Sequence, residues 1–236
     1  MITFGLDTAG KTVGVALMQD DCLLYENFLN CGLTHSETMM PLIDEAFQAV
    51  GLKPTAVDLW GVCAGPGSFT GLRIGLAAVK GLSFVTDAPC APVSTLEALA
   101  TGCMGGEGTV VCALDARRRE VYWAAFNLAD AARLTQDTAA PVKSLADFIK
   151  TCKKPVFFVG DGAALCYNEY DNVPGVAKLP AGLGRCRGAA VCLAAQKCME
   201  RGECVSPAQL APSYHRLSQA ERERAERIKL EGESTK

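Results

Sequence analysis

Residues 59–82 read Leu-Trp-Gly-Val-Cys-Ala-Gly-Pro-Gly-Ser-Phe-Thr-Gly-Leu-Arg-Ile-Gly-Leu-Ala-Ala-Val-Lys-Gly-Leu, and this stretch restricts the fold more tightly than any other. It opens as an apolar run of strand length, passes through a Gly-Pro-Gly turn and continues with apolar residues at helical spacing. The unit is a strand, a tight loop and a helix. Ser68 or Thr70 can cap that helix through a side-chain oxygen, and its first free N–H groups then point into the loop, where an anion could sit. Gly65, Gly67, Ser68 and Thr70, with Asp7 upstream, are therefore the candidate phosphate-loop residues. Two nucleotide motifs are excluded. A Walker A loop needs Lys and then Ser or Thr after its last Gly, whereas Gly71 is followed by Leu72 and Arg73. The dinucleotide fingerprint finds Gly65 and Gly67 but Thr70 in place of the third Gly, although Asp87 lies near the distance of a ribose-binding acid.

The chain has 236 residues, enough for one domain or two small ones, and its 49% hydrophobic content is ample for a buried core. A net charge of −3 supplies no global positive field to hold nucleic acid, so any RNA contact must be local or lent by a partner. Nothing resembles a membrane span, and residues 1–7 lack the basic head and cleavage site of a signal peptide, so a cytoplasmic protein is expected. Twelve cysteines invite a metal or disulfide reading. No C-x-x-C pair is present, and only His35 and His215 offer imidazoles. Cys186, Cys192, Cys198 and Cys204 recur every six residues, a step of about 240° on a helix, so these four cannot converge on one ion. The expectation is reduced, small apolar cysteines and no bound metal or cofactor.

Residues 2–7, residues 12–18 and Cys22–Leu29 form three β-rich runs, an antiparallel meander with Asp7 ending its first strand. Asp7 and Thr8 sit where a carboxylate could hold a metal-bound water and a hydroxyl could face phosphate; ending a strand and capping its turn is the plainer role. Thr34 or Ser36 caps a helix in which Met39, Leu42, Ile43, Ala46, Phe47 and Val50 make a continuous apolar face. The helix after the Gly-Pro-Gly loop carries small residues, including Gly71, Gly75 and Ala78, that permit close approach of another helix. A strand at 89–93 and a helix opened by Ser94-Thr95-Leu96-Glu97 follow, then a Gly-rich linker at 101–108. A hairpin around Asp115-Ala116-Arg117-Arg118-Arg119 begins a second, less regular half containing Gly160-Asp161-Gly162, an αβ turn or second phosphate loop. Its later elements are a short helix capped by Ser144, a strand at 155–159, a helix at 163–170, a weak strand at 176–179 and an amphipathic helix at 189–201. The expected division is a lobe at 1–104, a smaller degenerate lobe at 105–217 and a charged tail at 218–236.

The order β-β-β-α-β-α-β-α with Asp at the end of the first strand has the outline of the actin-like ATPase superfamily, an α/β fold of two ribonuclease-H-like lobes. Specific segments closely resemble the bacterial TsaB (YeaZ) family: Leu6-Asp7-Thr8, His35-Ser36, residues 65–75, Lys80-Gly81, residues 93–100, Asp115-Ala116-Arg117 and Pro212-Ser213-Tyr214-His215-Arg216. The resemblance implies a part in making N6-threonylcarbamoyladenosine at position 37 of tRNA. It further implies a non-catalytic partner of a TsaD-type threonylcarbamoyl transferase, joined by a TsaE-type ATPase, with tRNA met only through the complex.

The TsaD family carries an Asn-His-x-x-x-His segment whose histidines bind metal; the run here is Ser94-Thr95-Leu96-Glu97-Ala98-Leu99, with Thr95 and Leu99 in their places. The family's partner surface is a bundle of the first two long helices. It maps to His35, Met39, Leu42, Ile43 and Phe47 on one helix and to Leu72, Arg73, Ile74, Gly75, Ala78 and Leu82 on the other. The same face is expected to make the isolated chain a homodimer. An M22-type metallopeptidase and an ATP-binding actin-like kinase are the alternatives; no constellation of two or three metal ligands with a nearby base is visible for the first.

Overall fold

A computed structural model describes residues 1–180 and 182–215. The chain opens with β1 (Ile2–Asp7), β2 (Val13–Gln19) and β3 (Cys22–Leu29), the antiparallel meander expected from the sequence. After α1 (His35–Val50) come β4 (Leu59–Gly65), α2 (Phe69–Phe84), β5 (Cys90–Ser94) and α3 (Thr95–Thr101). β4 pairs parallel to β1, and β5 parallel to β4, giving a five-stranded sheet in the order β3-β2-β1-β4-β5. A second set follows: β6 (Thr109–Asp115), β7 (Glu120–Asn127), β8 (Thr138–Pro141), α4 (Ala146–Thr151), β9 (Val156–Val159), α5 (Ala163–Tyr170) and β10 (Val176–Ala177). Its sheet runs β8-β7-β6-β9-β10, the same order and the same parallel and antiparallel pairings. The second half is thus a smaller copy of the first. β8, four residues of Thr-Ala-Ala-Pro, lies outside the strands expected from the sequence, because it has neither length nor alternation.

The starts of the first three helices follow local chemistry, whereas the cap expected from Ser144 is absent, its hydroxyl donating to the Pro141 carbonyl instead. Thr34 caps α1 in a reciprocal box with Glu37. Ser68 caps α2 by accepting the Gly71 N–H, and Ser94 caps α3 by accepting the Glu97 N–H. α1 lays Met39, Leu42, Ile43, Ala46 and Phe47 onto the first sheet, where Phe4 stacks on Phe47 at 5.9 Å and meets Trp60 at 4.9 Å.

The last helix among the described residues, α6 (Gly188–Glu200), departs from the expected division at residue 105: it leaves the second half and covers the other face of the first sheet. Strand alternation turns Thr3, Gly5 and Asp7 of β1 toward it, opposite to Phe4 and Leu6. The seam is built from small groups. A Cβ on Gly5 would lie 2.4 Å from the Gly188 carbonyl oxygen and 2.7 Å from Cys192 Sγ, and one on Gly61 2.6 Å from Ala195 Cβ. Glu26 of β3 accepts the Ala189 N–H at 3.0 Å and pairs with Arg187, fastening the start of α6. Cys192 and Cys198 are small packing residues of this helix. The charged tail expected at 218–236 lies outside the described residues. Since the obstacle at Gly5 is backbone that cannot rotate away, Gly5→Ala is expected to destabilise the chain by about 1–3 kcal/mol, read as a lower urea midpoint; an unchanged midpoint would contradict the seam.

Candidate functional site

Between the two sheets lies a polar cleft of about 340 Å³, walled on one side by residues 9–11 and 66–70 and on the other by residues 114–117, Tyr122 and Asp161. Of the expected phosphate-loop residues, Gly67, Ser68 and Thr70 line it. Gly65 and Asp7 lie beneath. Gly65 has φ +138, and a Cβ there would meet the Ser213 carbonyl oxygen at 2.3 Å, so the C-terminal segment closes over it. Ser213 N–H donates to the Ala64 carbonyl at 2.8 Å.

Sequence spacing alone assigns this segment no structural role. Tyr214 stacks on Phe69 at 4.6 Å, its hydroxyl accepts Arg73 Nε at 2.8 Å, and the Arg73 guanidinium lies 3.9 Å over the Phe69 ring. Residues 213–215 therefore strap the Gly-Pro-Gly loop to α2 and form part of the cleft wall. The turn between β1 and β2 bears on α2 from the other side. Ser68 N–H donates to the Ala9 carbonyl at 2.7 Å, Thr8 Oγ1 donates to the Gly71 carbonyl at 2.8 Å, and His35 Nε2 lies 3.0 Å from the Gly10 carbonyl oxygen. His35 is a packing residue of this turn. On the opposite wall, Asp161 accepts the Asp115 N–H at 2.9 Å, which makes Gly160-Asp161-Gly162 the clamp of the second hairpin. Arg117, Arg118 and Arg119 all have left-handed φ, 66, 55 and 60, and the Asp115 carboxylate accepts the Arg117 N–H.

Asp7 is 1% exposed, and its Oδ1 accepts the Ala9 N–H at 2.9 Å, the turn-capping role. Burial, opposed by that N–H and by the neighbouring Cys63 and Cys186 thiols, pushes its pKa from 3.8 up to about 6. Burial also holds the Cys63 thiol well above its ordinary range. Among the described residues, Asp7, Cys63 and Cys186 are a group whose donor atoms converge, within 4.8 Å of one another. The expectation that all cysteines act as isolated small residues missed this. The signal available was strand parity: β1 and β4 register Leu6 against Val62, so Asp7 and Cys63 are the next rung. Nothing in the sequence points to Cys186.

A family model described as "TsaD: tRNA N6-adenosine threonylcarbamoyltransferase" matches residues 31–223. The tRNA threonylcarbamoyladenosine biosynthesis protein TsaB of Bacillus subtilis (strain 168) is 30% identical over 178 residues, 74% of this chain and 77% of that protein. The chain belongs to the TsaB family. The TsaB of Escherichia coli (strain K12) is 34% identical over 53% of this chain and 55% of its own length. The solved structure of YeaZ from Pseudomonas aeruginosa superposes with a TM-score of 0.74 at 27% identity, covering 90% of this chain and 99% of that one. The fold of this TsaB-family chain is accordingly a two-lobed α/β architecture with ribonuclease-H-like lobes, the second the smaller.

Many residues mapped onto the partner surface turn inward in this TsaB-family chain. Met39, Leu42, Ile43, Phe47 and Leu72 are all buried in its own core, between 1% and 8% exposed. α1 has a single apolar face, and the sheet consumes it. Gly75 also points inward: a Cβ there would lie 2.2 Å from Thr8 Oγ1. Arg73 is exposed on the outer side of α2, while Ile74, Ala78 and Leu82 flank it half-buried against the core, and His35 at the head of α1 is half-buried as well.

The raised Asp7 pKa fixes the sign of a pH effect. A carboxyl whose folded pKa lies above its unfolded value lends stability below about pH 4 and loses it as pH rises through about 6. Relative to Asp7→Asn, in chelating buffer, the natural chain is expected to lose up to roughly 3 kcal/mol over that window. Parallel stability curves for the two proteins would show Asp7 to be an ordinary carboxylate.

Proposed function

We propose that this chain serves tRNA threonylcarbamoyladenosine biosynthesis as a non-catalytic subunit that docks a TsaD-type threonylcarbamoyl transferase through the outer face of α2. The observation that carries the reading is the composition of that face. Ala77 and Gly81 are exposed, Ile74, Ala78 and Leu82 flank them half-buried against the core, and the stripe ends in Phe84 and Val85, which are 69% and 78% exposed. A helix that stays apolar on the side turned away from its own core marks an interaction surface. The small residues in its middle admit a second helix at close range.

The non-catalytic part of the proposal draws on what stands at the positions resembling the TsaD metal ligands. Thr95 and Leu99 are buried side chains of α3, and the two histidines of the chain are engaged elsewhere, His35 with the Gly10 carbonyl and His215 with Ser213 Oγ. Metal-assisted peptide hydrolysis has no such ligand pair to use at α3. A TsaE-type ATPase and tRNA are reached through the assembled complex in the cytoplasm, and the isolated chain pairs two copies across the same face. Among the described residues no helix is long and apolar enough to cross a membrane.

Co-purification with the TsaD-type protein of the same source tests the proposal, and the structure selects the variant. Gly75→Arg would collide with Thr8 and damage the fold. A Cβ on Gly81, by contrast, meets nothing within 4 Å. Gly81→Arg is expected to keep the natural thermal midpoint and to abolish co-elution with the transferase. A variant that still co-elutes would place the docking surface elsewhere, and micromolar binding of Mg-ATP by the isolated chain would favour the ATP-binding reading.

A further inference from the structure

We propose that Asp7, Cys63 and Cys186 form a binding site for one thiophilic divalent cation, with Zn²⁺ the best match. The three residues come from separate parts of the chain: the end of β1, the middle of β4 and the approach to α6. All are buried, at 1%, 0% and 5% exposure. Cys63 Sγ and Cys186 Sγ are 3.9 Å apart. A tetrahedral zinc with Zn–S bonds of about 2.3 Å holds two sulfurs roughly 3.8 Å apart, whereas a disulfide brings them to about 2.05 Å. The two thiols, in hydrogen-bond contact in this structure, are thus already at the spacing that two sulfurs on one ion require. Two thiolates and one carboxylate select a borderline-soft ion such as Zn²⁺ over Mg²⁺ or Ca²⁺, which take oxygen donors.

A fourth position is available. Beside the cluster lies a void of about 20 Å³ bordered by Asp7, Cys186 and Thr95. The Thr95 hydroxyl is buried and has no hydrogen-bond partner among the described residues. A void of this size holds one water. Such a water can complete the tetrahedron and satisfy Thr95, a polar group that is otherwise costly to bury. Gly10, Lys11 and Asp161 line both this void and the cleft between the lobes, which gives the ion a route inward. As the ion binds, each thiol gives its proton to solvent and its sulfur lone pair to the metal, leaving two thiolates and one carboxylate on a dication.

The test uses the full chain, reduced and stripped with chelator, then titrated with Co²⁺ alone as a spectroscopic probe. One equivalent should produce a near-ultraviolet thiolate-to-cobalt band and intense tetrahedral visible bands, both erased by Zn²⁺. Cys63→Ser and Cys186→Ser should each weaken the thiolate band and lower affinity at least about tenfold. Replacing the exposed Cys22 and Cys31 by Ser should leave the spectrum as it is. No thiolate band in the natural chain, or an unchanged one in Cys63→Ser and Cys186→Ser, would overturn the proposal; so would a Cys63–Cys186 disulfide found by mass in protein isolated without reductant. X-ray absorption of the zinc-loaded natural chain needs no variant. It should show two sulfurs at about 2.3 Å and two oxygens, and four sulfurs or none would overturn the site.

Discussion

The turn at Thr8-Ala9-Gly10 presses into the start of α2, and the rest of the structure depends on that contact. Gly67, Gly71 and Gly75 are the positions that allow it: a Cβ on any of them would come within 2.1 to 2.6 Å of an oxygen of Thr8 or Ala9. Hydrogen bonds from Ser68 and Thr8 lock the two elements at this distance. The contact sets the rotation of α2 about its axis. Once Gly71, Leu72, Gly75, Leu76 and Val79 face the sheet, Arg73, Ala77 and Gly81 must face outward, with Ile74, Ala78 and Leu82 half-buried on the flanks. One inward row of glycines thereby determines which side chains α2 shows to solvent.

The same economy of small groups governs the opposite face of the sheet. Gly5, Gly14 and Gly61 admit α6 so closely that its Gly188, Cys192 and Ala195 lie against backbone. α6 follows the second sheet in the chain, so the first lobe is complete only after the second has been made. Its approach also brings Cys186 to Asp7 and Cys63 beneath the cleft between the lobes.

Much of this was legible in the sequence. The meander, the amphipathic α1, the cap at Ser94 and the strand, loop and helix at 59–82 follow from local spacing and turn chemistry, while the choice of Thr34 over Ser36 and of Ser68 over Thr70 as caps needed the structure. What escaped is non-local. α2 is apolar on nearly every side, so its periodicity cannot say which face is turned inward, and Gly75 was assigned to the wrong one. α1 was misread for the opposite reason: its one apolar face is consumed by the sheet, which Met39 and Phe47 could not reveal alone. β8 is too short to carry a pattern, and the return of α6 to the first sheet leaves no local mark. The convergence of Cys63 and Cys186, 123 residues apart in the chain, is likewise a product of that return.

The central claim is that one face of α2 holds the fold while the other serves a transferase. It is tested most directly by reconstituting threonylcarbamoyl transfer to tRNA with the TsaD-type protein of the same source, in the presence and absence of this chain. The account predicts no transfer by this chain alone, transfer when the two are combined, and loss of that gain when the outer face of α2 carries a charged substitution. Transfer by this chain alone, or equal transfer by the partner without it, would contradict the account.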